Sequence, residues 1–87
     1  MIADEHEAKL AVDCAALCEY RGVIYAAHSA VYTKNPRGHT VWSIVLHARR
    51  ANSTVQAPLD QVSVVQWNLP ADLVRDLLQK ARKEKSA

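Results

Sequence analysis

Glycine is almost missing from this 87-residue chain: only Gly22 and Gly38 occur. Loops that cradle phosphates need clustered glycines so that the backbone can approach the ligand, which excludes P-loop and dinucleotide-binding readings. Cysteine is as sparse. Cys14 and Cys18 make no disulfide framework, and two free thiols suit a reducing compartment. Long apolar runs are lacking too: the stretch Val23 to Ala27 is as long as any, far short of the ~20 residues of a membrane span. Asp4, Glu5 and Glu7 stand where a secretion signal would carry a basic start, so the expected location is cytoplasmic, with no membrane partner.

One further absence is local. Residues 21–59 contain no acid, only Arg21, Lys34, Arg37, Arg49 and Arg50, a charge of +5. Residues 1–20 carry five acids against Lys9, or −4, and residues 60–87 carry four acids and five bases, which completes the net +2. An acid-free basic segment invites an anionic partner, unless the acidic start of the chain folds back and neutralises it.

What is present is a chain that is 49% hydrophobic with few turn residues, enough for one domain spanning 1–87 with a single core. Residues 4–20 read as a helix. Asp4 followed by Glu7 resembles a capping box, Leu10, Ala11, Cys14, Leu17 and Cys18 form one apolar stripe, and Gly22 offers a left-handed cap. From 23 to 65 the chain turns to β-branched and aromatic residues. Val23–Ala26 and Ala30–Thr33 read as strand material bent around His28-Ser29, Thr40 to Ala48 as a central strand, and Thr54–Gln56 and Val62–Val65 as short strands. Asn35-Pro36-Arg37-Gly38 is a turn by chemistry, and Pro58 marks an edge. Pro70 opens a last helix over 70–83, with Leu73, Val74, Leu77, Leu78 and Ala81 as its buried stripe and 84–87 as a frayed tail.

The expected fold is therefore α+β, a small single domain of order α-β-β-β(-β)-α. The turns are too short for parallel crossovers, so the sheet is antiparallel. An SH3-like half-barrel packed by an N-terminal and a C-terminal helix would bury every stripe. The number of strands between 54 and 65 stays open.

Chemistry-bearing motifs are few. No two of His6, His28, His39 and His47 lie closer than eight residues, and the cysteines lack CxxC spacing, so neither a metal nor a cofactor is expected. A thiol on the apolar side of a helix is poorly placed to ionise, and no serine stands in a nucleophile elbow, so no enzyme is expected. The candidate binding residues are Tyr32, Lys34, Arg37 and His39 around the central turn, Arg49 and Arg50 at the far end of the long strand, and Trp67 before the last helix. Two readings follow. The first is a small non-enzymatic protein-binding regulator, adaptor or inhibitor, of the kind phage and mobile elements encode, that pairs with another protein or with a second copy of itself through an edge strand or helix. The alternative is DNA or RNA binding through the basic segment, with bases on phosphates and a ring against a nucleobase.

Overall fold

A computed structural model describes residues 1–86, with side chains through Glu84. The elements are α1 (Glu5–Asp13), β1 (Leu17–Tyr20), β2 (Val23–Lys34), β3 (Thr40–Ala48), β4 (Ser53–Pro58), a 3₁₀ turn (Leu59–Gln61), β5 (Val62–Gln66) and α2 (Ala71–Ser86). The five strands form one antiparallel sheet in the order β4-β3-β2-β1-β5. The chain is thus α+β, with both 54–65 segments in the sheet as separate strands.

The first helix is shorter than the 4–20 expected, and the reason is local. Ala15 adopts φ 50°, Ala15 N–H donates to Val12 C=O at 3.2 Å, and Ala16 N–H donates to Ala11 C=O at 2.8 Å. These two bonds are a Schellman stop, built on an alanine where a glycine usually stands. Asn68, from the segment before α2, adds its side-chain amide to the Cys14 and Ala15 carbonyls at 3.3 and 2.9 Å. Beyond the stop the same residues alternate instead of spiralling: Cys18 and Tyr20 are buried and Glu19 is exposed. Gly22 is left-handed as expected, but together with Arg21 (φ 52°) it forms the two-residue hairpin joining β1 to β2 rather than a helix cap.

Hydrogen-bond order and chain order together force the sheet to curl. β4 and β5 stand four strand spacings apart, about 19 Å if flat. Only Leu59–Gln61 separates Pro58 from Val62, a reach of about 14 Å at full extension. The sheet therefore curls, bringing its β4 and β5 edges toward each other. β2 bends to allow it, through a bulge at His28 between Ala27 and Ser29. This irregularity keeps Ala27 (opposite Leu46) and Ala30 (opposite Ile44) on the same inner face.

That inner face holds Cys18, Tyr20, Ala27, Ile44, Leu46, Ala57 and Val62, closed by Ile2 and by Ala8 and Ala11 of α1. Alanines at the contact let the helix approach β2 closely. Because α1 occupies that face, α2 finds only the flank of α1 and the ring of Trp67 to cover it. Its apolar stripe is therefore not buried as expected: Val74 is, but Leu73 and Leu77 remain 42% and 38% exposed. α2 begins at Ala71 and its helical backbone runs to Ser86, beyond the 83 expected, while Ala87 lies outside the described residues.

Candidate functional site

Antiparallel order sorts the basic residues into two groups at opposite ends of the sheet. At one end the β2–β3 loop is a three-residue turn. Gly38 N–H donates to Asn35 C=O at 2.9 Å, Asn35 N–H donates to His39 C=O at 2.8 Å, and Gly38 sits at φ 84°. The Asn35 side-chain oxygen accepts from the backbone N–H groups of Arg37 and His39, both at 3.0 Å. Arg37 and His39 are thus held on a fixed scaffold, with Lys34 ending β2 beside them. Register places Tyr32 opposite Trp42, their ring centroids 5.1 Å apart and tilted by 33°. Tyr32 is 60% exposed, and the Lys9 ammonium of α1 stands 4.7 Å from the Trp42 ring centroid. Asp60 borders this group across the cleft formed by Asn35, Val41 and Trp42.

Arg49 and Arg50 lie at the other end of β3, about 30 Å along a nine-residue strand. The β1–β2 hairpin reaches the same end and brings Arg21, whose guanidinium carbon is 5.2 Å from the Tyr20 ring centroid. Val23 and Ile24 follow it, each 49% exposed. Val23, Ile24, Ala48, Arg49, Arg50 and Ala51 line a shallow cavity of about 280 Å³. Trp67 belongs to neither group; it is half-buried beneath α2 with Val74 and Leu78, beside a cavity of about 440 Å³. The seven candidate residues thus fall into three places, and the fold does not merge them into one patch.

Asp4, Glu5 and Glu7, at the start of α1, are engaged within the helical layer. Asp4 pairs with Arg82 of α2 at 2.8 Å, Glu7 lies 4.0 Å from the same guanidinium, and Glu5 faces Lys9 at 3.6 Å. Among the described residues no ion pair involves Arg21, Lys34, Arg37, Arg49 or Arg50. The acidic start of the chain therefore does not cancel the basic middle by contact, and all five bases are exposed.

Sequence reading sets Tyr32 and Trp42 on either side of the central turn without pairing their rings, and passes over Lys9 beside them and Arg21, Val23 and Ile24 as neighbours of Arg49-Arg50. The first pairing was within reach. A hairpin closed at Asn35–His39 puts positions 32 and 42 opposite one another. The second needed the β1–β2 hairpin, which the long helix reading had removed.

Burial pushes the Cys18 thiol up to about 11 and raises that of Cys14, so both are protonated at neutral pH. His28 and His47 come within 6.4 Å, yet among the described residues no group of three His, Cys, Asp or Glu side chains converges. Among the described residues no helix is long and apolar enough to cross a membrane. Against protein-family models, curated proteins and solved structures, the chain finds no match.

Proposed function

We propose that this chain is a small, non-enzymatic protein-binding regulator, adaptor or inhibitor of the cytoplasm, and that it docks its partner on the end of the sheet formed by Val23, Ile24, Arg49 and Arg50. One observation carries the reading: two aliphatic side chains each half exposed, beside two arginines with no carboxylate partner among the described residues. Protein interfaces concentrate their energy in an apolar centre with arginine among the enriched residues, and they shield it with a polar rim. Arg21 supplies part of that rim. The partner surface that fits is an apolar knob flanked by carboxylates.

The test is capture of the partner from host extract on immobilised chain, with Arg49→Ala/Arg50→Ala and Ile24→Glu variants alongside. A protein held at stoichiometric level by the wild type, and released by both variants with unchanged circular dichroism, supports the reading. Equal capture by all three chains would overturn the assignment of the surface. No capture at all would overturn the function.

A second reading has its own observation. The exposed Tyr32 ring against Trp42, with Lys34 and Arg37 alongside, is an arrangement on which a nucleobase could stack while two phosphates are neutralised. Two phosphate contacts on a single strand imply that affinity falls only about sevenfold between 50 and 200 mM salt. A gel shift at low salt that disappears with Lys34→Ala/Arg37→Ala would favour this reading; no shift with RNA or DNA would remove it.

A further inference from the structure

The stripe left open on α2 has a charge pattern that matches a copy of itself. At about 100° per residue, Val74, Leu78 and Ala81 face α1 and Trp67, and Leu73 and Leu77 lie on the adjoining flank. Beyond them, turned further from the core, come Asp76, Lys80 and Lys83. Asp72 on the same flank is engaged by Arg75 at 2.8 Å. Among the described residues Asp76, Lys80 and Lys83 form no ion pair. On this side of the exposed leucine pair Asp76 precedes Lys80 and Lys83, and Glu84 falls on the line of Leu73 and Leu77 one turn beyond Lys80.

We propose that two copies of this chain associate through antiparallel α2 helices, related by a two-fold axis near Leu77. In an antiparallel pair each flank meets the same flank of its mate, so this arrangement brings Lys80 of one copy to within about 3 Å, along the helix axis, of Asp76 of the other, twice per dimer, with the two Asp76 side chains flanking the two-fold. In a parallel pair opposite flanks meet, so Asp76 would face the side of its mate that packs on α1 and the contact with Lys80 would be lost. Leu77 packs on Leu77, and Leu73 of one copy lies over Ala81 of the other, at the mouth of the groove of about 210 Å³ between α1 and α2. Opposed helix dipoles favour the same orientation. The interface is isologous and closes at two copies, so it builds no fibre. It also leaves the Val23, Ile24, Arg49 and Arg50 surface open, so self-association and partner docking use separate parts of the molecule.

Light scattering coupled to size exclusion at high micromolar concentration tests this. The expected mass is twice the 9.7 kDa of the chain. Leu77→Glu should give a monomer. Asp76→Lys alone and Lys80→Asp alone should each weaken association about tenfold by turning two attractions into repulsions, and the double exchange D76K/K80D should restore it. The exchange arm does not depend on Leu77→Glu folding, and circular dichroism checks helix content throughout. A monomeric wild type, a dimer indifferent to Leu77→Glu, or a double exchange no tighter than the single ones would each overturn the proposal.

Discussion

Asp4 joins two helices through one carboxylate, and its two roles can be separated by substitution. One oxygen accepts from the Glu7 backbone N–H at 3.0 Å and caps α1; the other accepts from Arg82 Nε at 2.8 Å and ties α2 to the start of α1. Asparagine keeps a capping oxygen and loses the charge, whereas alanine loses both. The ion pair is 42% and 36% exposed at its two side chains, so solvent screens it, and Asp4→Asn should cost about 0.2–1 kcal/mol. Asp4→Ala should add the cap, about 1 kcal/mol more. In a domain of this size each kcal/mol lowers Tm by about 4–8 °C. Urea unfolding at neutral pH, with Arg82→Ala made in both the wild-type and Asp4→Asn backgrounds, isolates the pair. Acid supplies a second readout. The hydrogen bond from Arg82 holds the Asp4 carboxyl below its ordinary value of 3.8. A depressed carboxyl stabilises the fold above the unfolded-state value, and that contribution fades as pH falls through the folded-state one. Wild type and Asp4→Asn should therefore differ by a constant amount at and above about pH 5 and converge only below about pH 4. If Asp4→Asn costs as much as Asp4→Ala, or if its deficit persists unchanged at pH 2, the division of roles is wrong.

Two further outcomes follow from the core and from the helix stop. Cys18 is fully buried with its thiol pushed from 9.0 to about 11, so Ellman's reagent at pH 8 should label it only at the rate of unfolding, and Cys14 faster. Its burial as a neutral thiol stabilises the fold fully below pH 9 and loses that contribution as pH rises toward about 11; a Cys18→Ala variant whose stability ran parallel to wild type over that range would contradict this. At Ala15, where φ is 50° and the side chain is exposed, glycine should stabilise by about 0.5–1 kcal/mol. Relief of the left-handed strain outweighs the extra freedom glycine brings to the unfolded chain, and a lower Tm for Ala15→Gly would show that the Schellman stop carries no strain.

The α+β class, the hairpin turn at Asn35–Gly38, the long strand Thr40–Ala48, the bend at His28-Ser29 and the start of α2 were legible in the residues, because each rests on local chemistry: a proline, a left-handed glycine, a run of alternating β-branched residues. The end of α1 was not. Leu10, Ala11, Cys14, Leu17 and Cys18 satisfy a helical period, and Cys18 and Tyr20 satisfy a strand period as well. The stop that decides between them uses an alanine, plus an asparagine 53 positions away, neither of which announces a boundary. Exposure on α2 was hidden for a related reason. An amphipathic stripe states that a face seeks cover, but how much cover exists depends on what α1 has already taken. Charge behaved likewise: the sequence set the count of acids and bases, while pairing of Asp4 with Arg82 across 78 positions determined that the acids at the start of α1 are held within the helical layer and, among the described residues, leave the five bases of the sheet without an ion pair. Short-range preferences act through the backbone of a few residues and are written in order along the chain. Which surface stays open is a property of elements meeting in space, and only the folded arrangement of α1, α2 and the curled sheet decides it.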